Sequence, residues 1–228
     1  MRHQNLNWQK LQVAAFDWDN TLALTRPALE CSINEVLQQN GLPTWNEIKN
    51  KRDANLSFRD NFPVLFGDKA AALYAAYKAV YKQKAADLIK RPAGALETLE
   101  LLAEAGVKIV LVTNKDRELL EYELPMFYNP TIFTRIVCGH EASKDKPDKA
   151  QLLFAVNGLT DSVNPENVWM IGDSAMDSAC AVSAGATAVR IGQPIWNDAP
   201  QNDAKKAIFF DDFSDFYLAL RGGDEQKK

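Results

Sequence analysis

An α/β chain built on a doubly wound, Rossmann-like parallel sheet with an inserted helical unit is the fold class that the sequence predicts, on three observations. Six short apolar runs, each too short for a helix, recur along the chain with helical patterns between most of them. The runs are apolar at nearly every position instead of alternating, as strands covered on both faces require. One interval, 26–91, holds no such run and carries helical patterns only.

The predicted strands are 13–16, 107–112, 133–137, 168–171, 186–191 and 207–210. Between them the periodicity predicts helices over 93–105, 116–123, 148–156 and 176–184, with Gly106, Gly158 and Gly185 placed to release the chain at helix ends. Inside the insert, helices are predicted over 27–39, 45–51 and 68–89, the last presenting Leu73, Tyr77, Val80 and Tyr81 on one face. The division that follows is a core of 1–25 and 92–222, a helical cap of 26–91, and a flexible tail of 223–228, with fraying expected from Arg221 onward.

Composition narrows the function classes. At 228 residues the chain can bury roughly 70% of its unfolded surface, so a full core is available. Apolar residues make up 46%, charged residues 25%, and the net charge is −4, an ordinary globular balance with no polybasic face for nucleic acid or an anionic membrane. The first twelve residues lack an apolar signal core, and no stretch approaches the ~18 apolar residues of a membrane span, so a cytoplasmic protein is expected. Cys31, Cys138 and Cys180 are odd in number and scattered, which predicts reduced, mostly buried thiols and neither a disulfide framework nor a zinc site.

The first run, "VAAFDWDNTLAL", ends in Asp17 and Asp19 followed by Asn20 and Thr21. In parallel sheets ligands bind beyond the carboxyl ends of the strands, so polar residues that terminate strands are the ones to collect. The second such end, "KIVLVTNKD", gives Thr113, Asn114 and Lys115, and the fourth, "VWMIGDSAMD", gives Asp173, Ser174 and Asp177. The connection "SKDKPDKAQLL" adds Lys144 and Lys146. Each set by itself is ordinary helix-capping and turn chemistry. Together, Asp17, Asp19 and Asp173 on one sheet edge would repel one another without a cation, and oxygen-only ligation selects a hard ion such as Mg²⁺. A carboxylate nucleophile, a divalent ion, the Thr113 hydroxyl and the Lys146 ammonium describe phosphoryl transfer through an aspartyl-phosphate.

"DWDNT", "VTNK", "KPDKAQLL" and "GDSAMDSACAVSAG", in that order with a helical insert after the first, resemble the four motifs of the haloacid dehalogenase-like hydrolase superfamily over about residues 13–192. The chain is most similar to the phosphoglycolate phosphatase-like subgroup with a helical cap of the first type. The resemblance implies that Asp17 is the nucleophile and that Asp19 protonates the leaving alkoxide and later activates water. It further implies Mg²⁺ held by Asp17, the Asp19 carbonyl and Asp173, with Asp177 in support, Thr113 bonding the phosphoryl oxygens, and Lys146 balancing their charge. Two positions depart from the pattern. Asn20 stands where glycine is usual, which positive φ tolerates in asparagine, and "KPDK" lacks the usual second proline, so Lys144 remains a fallback for Lys146.

Asp19 argues against the dehalogenase and phosphonatase branches. A phosphomutase of the β-phosphoglucomutase type and a non-catalytic binding protein on the same fold stay as alternatives. Substrate choice is assigned to the cap, where "NKRDANLSFRDNF" brings Lys51, Arg52, Asn55, Ser57 and Arg59 together. Arg52 and Arg59, with Thr113, Asn114 and Lys146, are the substrate-binding candidates for a small phosphorylated metabolite such as 2-phosphoglycolate; surface charge anchored by Phe58 and Phe62 is the plainer reading of the same stretch. Neither nucleic acid nor membrane is expected as a partner, and the chain is a monomer or homodimer. Trp18 should turn away from the two aspartates into packing, and Tyr74, Tyr77 and Tyr81 read as cap packing or a dimer contact. Lys78, Lys82 and Lys84 read as a solvated helix face, and His3 and His140 as isolated side chains.

Overall fold

The computed structural model describes residues 6–192 and 207–224, with side chains through 222. Strands β1 (Val13–Phe16), β2 (Lys108–Val112), β3 (Arg135–Val137), β4 (Val168–Gly172), β5 (Thr187–Ile191) and β6 (Ala207–Phe210) form one sheet in the order β3-β2-β1-β4-β5-β6. Every neighbouring pair is parallel, with Val13 in register with both Lys108 and Val168. β1 therefore sits at the centre, and its carboxyl end faces those of β2 and β4.

Strand geometry explains the continuous apolar runs. Successive side chains point to opposite faces, so Ala14 and Phe16 join the larger core while Val13 and Ala15 join the smaller one. The smaller core is closed by α7 (Ala150–Val156) and α8 (Ala175–Ala184) through Leu152, Ala155, Cys180 and Ala181. The larger is closed by α5 (Ala95–Glu104), α6 (Arg117–Phe127) and α9 (Phe213–Asp224), and it runs on into the insert.

The insert consists of α1 (Arg26–Gln39), α2 (Trp45–Ile48) extended by a short 3₁₀ turn over Lys49–Lys51, α3 (Asn61–Phe66) and α4 (Ala70–Leu88). Ile33, Val36 and Leu37 of α1 are buried in the same core as Leu73, Tyr77 and Tyr81 of α4. Trp45, Phe58 and Phe62 complete an aromatic cluster against Tyr77, with ring centroids 5.0–5.9 Å apart from Phe58 to Phe62 and Tyr77 and from Phe62 to Tyr77. Each large side chain so buried contributes roughly 1.5–3 kcal/mol of transfer free energy.

Four elements differ from the sequence reading. β3 begins at Arg135, two residues late, because a 3₁₀ turn over Pro130–Ile132 carries the chain to Phe133. α6 runs on past the predicted end at Glu123 to Phe127, with Pro125 inside it, because Leu119, Leu120 and Leu124 bury along one side. α3 tolerates Pro63 because the proline lies in the first turn, where the missing N–H has no helical acceptor. α9 has no counterpart in the sequence reading, although Phe213, Phe216, Ala219 and Leu220 are buried at helical spacing; it carries Arg221 through Asp224, which were expected to fray, while 225–228 lie outside the described residues. Gly106, Gly158 and Gly185 all have positive φ. Cys138 and Cys180 are buried, Cys31 is exposed, and all three are free thiols. No helix of the described residues is long and apolar enough to cross a membrane.

Candidate active site

β1 delivers the acidic pair and a tight loop holds it. The Asp17 amide donates to Ile171 O at 2.9 Å, extending the β1–β4 ladder by one residue, and the chain then turns at Asn20, whose φ is +57°. Asn20 thus takes the left-handed conformation that asparagine reaches more readily than most residues. Thr21 and Ala23 amides both donate to Trp18 O, and Trp18 itself is buried with Nε1 donating to Glu123 Oε2 at 2.7 Å.

Around Asp17 the other strand ends converge. Lys146 Nζ lies 2.7 Å from Asp17 Oδ1, 2.6 Å from Asp177 Oδ1 and 2.8 Å from Val112 O, so its three hydrogens each have an acceptor. Asn114 fixes the lysine from behind: its Nδ2 donates to Lys146 O and its Oδ1 accepts from Lys146 N. Lys144, the fallback, is 72% exposed and sits 3.6 Å from Asp148, away from the carboxylates. Asp177 closes a reciprocal cap with Ser174 at the start of α8. Gly172 permits this arrangement, because a Cβ there would collide with the Asp177 carboxyl group. Carboxylate oxygens of Asp17, Asp173 and Asp177 all lie within 4.8 Å of one another, and all three residues are buried.

Burial dominates the electrostatics. It pushes the Asp17 carboxyl up to about 7, against the pull of Lys146 and with the help of Asp177. Burial pulls the Lys146 ammonium down, but Asp17 and Asp177 together hold it above its ordinary value. The donor set is oxygen only, and when ionised three carboxylates outnumber the single ammonium, which fits a hard divalent cation.

Asp19 faces differently. Its Oδ1 accepts from Thr25 Oγ1 at 2.6 Å and from Lys115 Nζ at 2.8 Å. Lys115 Nζ also lies 3.0 Å from Glu123 Oε1 and donates to Tyr81 OH at 3.1 Å. The sequence places Lys115 at the strand end without a role, and nothing in it marks Glu123, whose partners are Trp18, 105 residues upstream, and Lys115.

Above these groups the insert encloses a cavity of about 460 Å³ that reaches from Asp17, Thr113 and Asp173 to Ser57, Phe58 and Tyr77. Asn55, Ser57 and Arg59 of the donor-rich stretch line it. Arg52 does not: its Nε donates to Lys49 O and its guanidinium stands 6.0 Å from the centre of the Trp45 ring, so the expectation that it faces the substrate is corrected. All five N–H groups of Arg59 point at acceptors, on Asp60, Asp116, Asp145 and Asn114 O. Asp116 and Asp145 belong to the sheet domain, so Arg59 fastens the insert down across the cavity mouth. Lys78 and Lys82, expected as a solvated face, bridge instead to Glu118 of α6, Lys84 pairs with Glu35, and His140 stands 3.2 Å from Asp60. Tyr77 and Tyr81 are buried within the chain, as packing; His3 lies outside the described residues.

Residues 14–191 match the family model of the haloacid dehalogenase-like hydrolases. Among curated proteins, the chain is 26% identical over 218 residues to the phosphoglycolate phosphatase of Mannheimia succiniciproducens, covering 90% of this chain and 96% of that one. It is 30% identical over 185 residues to the phosphoglycolate phosphatase of Caulobacter vibrioides, covering 78% and 77%. The crystal structure of a predicted phosphoglycolate phosphatase from Haemophilus somnus matches the fold with a TM-score of 0.79 at 23% identity, over 92% of this chain and 97% of that one. With its acidic loop, buried carboxylates and lysine on a parallel sheet under a helical insert, the chain belongs to the haloacid dehalogenase-like hydrolases, in their phosphoglycolate phosphatase-like group, and is a phosphoric monoester hydrolase.

Proposed function

We propose that the chain is a Mg²⁺-dependent phosphatase that hydrolyses a small organic phosphate monoester, with 2-phosphoglycolate the leading candidate, through an aspartyl-phosphate on Asp17. The observation that carries the reading is Asp17, Asp173 and Lys146 lining a cavity of about 460 Å³ under a helical lid, with Asp177 paired to Lys146 beside them; the space is too small for a phosphoprotein or a long nucleic acid. In this reading 26–91 is the cap and 1–25 with 92–222 the core. A cytoplasmic monomer or homodimer agrees with the composition.

In the first half-reaction a carboxylate oxygen of Asp17 bonds to phosphorus while the ester P–O bond breaks, and Asp19 gives its proton to the departing alkoxide. In the second, Asp19 takes a proton from water as the water oxygen displaces Asp17 from phosphorus, which returns the carboxylate and releases inorganic phosphate. Thr113 donates its hydroxyl to a phosphoryl oxygen, and Lys146, fixed by Asn114, balances the charge that builds on the group. Asp17, Asp173, Asp177 and the Asp19 carbonyl would hold Mg²⁺, which supplies further charge neutralisation when bound. Arg59, the cap cation at the cavity, would meet a second anionic group of the substrate by exchanging one of its carboxylate partners.

The test is turnover of phosphate esters in ¹⁸O-water. Release of inorganic phosphate carrying the label is expected, and phosphate moved between sugar hydroxyls with negligible release would favour the mutase alternative. A panel of phosphorylated metabolites then ranks substrates, with Arg59→Ala expected to raise KM for dianionic ones by about tenfold and Arg52→Ala to leave it unchanged.

A further inference from the structure

The reaction just described uses neither Lys115 nor Glu123, yet both are buried at its edge. Glu123 is fully buried on α6, with Oε2 bound by Trp18 Nε1 and Oε1 lying 3.0 Å from Lys115 Nζ. The Lys115 ammonium donates to the cap hydroxyl of Tyr81 and to Asp19 Oδ1, and it stands as an ion pair beside Glu123 Oε1, which no hydrogen bond reaches. The ammonium also stands 4.7 Å from the centre of the Tyr81 ring. Taking a lysine and a glutamate out of water is costly, and an apolar pair would fill the same space without that cost. This pair ends on the carboxylate assigned to acid–base work.

We propose that Glu123 is a positioning residue: it clamps Lys115 so that the ammonium, seated between core and cap, holds the Asp19 carboxylate where it meets the leaving-group oxygen. The inference rests on the phosphatase reading with Asp19 as acid and base. Glu123 itself touches no reacting atom and acts through Lys115, while Trp18, between the two aspartates, ties the same carboxylate to the nucleophile loop. Burial raises the Glu123 carboxyl while Lys115 opposes the rise, and the ammonium stays well above its ordinary value under Asp19 and Glu123 despite burial.

An acid aimed at the leaving group matters most when that group leaves poorly. The experiment compares kcat and KM of wild type, Asp19→Asn and Glu123→Gln on p-nitrophenyl phosphate, whose phenolate departs unaided, and on the alkyl monoester that wild type turns over fastest. Glu123→Gln keeps the volume and the Trp18 acceptor; its kcat/KM on the alkyl ester, which reports the half-reaction that expels the leaving group, should fall about 10²-fold, at least tenfold further than on the aryl ester. Equal falls on the two esters, or none, would overturn the proposal. Should that variant not fold, the double variant Lys115→Met/Glu123→Leu removes both charges together, and the same selective loss is expected; an equal loss overturns the proposal again. The Asp19→Asn control separates the two levels. If it lacks leaving-group selectivity the acid–base reading fails, whereas selectivity there without it in Glu123→Gln defeats the positioning role alone.

Discussion

Asp17 and Asp19 are two residues apart, yet the loop gives them different neighbours. Asp17 meets Lys146 and the other carboxylates, while Asp19 meets Thr25 and Lys115. Asp17→Asn should abolish turnover and any alkali-labile phospho-enzyme, because an amide does not attack phosphorus; acid-quench labelling checks this. Asp19→Asn should still bind substrate but lose about 10²–10⁴-fold in kcat. Lys146→Met removes the partner of two buried carboxylates and should destabilise the metal-free protein by about 3–5 kcal/mol in urea melts. A stability unchanged by that substitution would mean that the two carboxylates find water or protons elsewhere.

The turn between β4 and α8 shows how an element makes chemistry possible. Gly172 leaves room for the Asp177 carboxyl, Ser174 caps the helix and the Asp173 carbonyl accepts from Arg190 Nη2 at 2.7 Å, so the carboxylates are fixed from three sides. Gly172→Ala should push Asp177 away, lower stability by about 1–3 kcal/mol and weaken Mg²⁺ binding, read by calorimetry. On the cap side, α4 and the loop before α3 meet the core through Arg59, Lys78 and Lys82. The Lys78 and Lys82 bridges to Glu118 are partly exposed and worth about 0–1 kcal/mol each, whereas the Arg59 contacts are mostly buried. Glu118→Gln should therefore barely change KM.

At the scale of the whole molecule, one core runs from the sheet into the insert, so cap and core share buried side chains such as Trp18, Tyr81 and Tyr128. The insert therefore covers the carboxyl ends of the strands as part of one packed body. Metal binding to the carboxylate cluster should stabilise the native state only, by RT ln(1 + [Mg²⁺]/Kd), about 2.7 kcal/mol at a hundredfold excess over Kd. Thermal melts with and without chelator check this, and activity should vanish in chelator and return with Mg²⁺. Full activity in chelator would contradict the metal assignment.

The sequence by itself determined the frame and most of the candidate site residues. Apolar runs of strand length place β1, β2, β4, β5 and β6 to within a residue, because a strand buried on both faces leaves a continuous apolar record. Asp17, Asp19, Thr113 and Asp173 are legible as candidates for a related reason: they follow strand ends, which in a parallel sheet meet at one edge, whereas Asp177 lies on the helix after β4 and Lys146 in the connection after β3. Tertiary structure alone decided which lysine of "SKDKPDK" reaches the carboxylates, that Arg59 faces the cavity while Arg52 turns to Trp45, and that α9 seals the larger core. It also decided that Glu123, an unremarkable helix residue in the sequence, grips Lys115 beside Asp19. Periodicity records how each element meets its own core, but a pairing between side chains 105 residues apart depends on how separate elements dock, and no local pattern carries that distance.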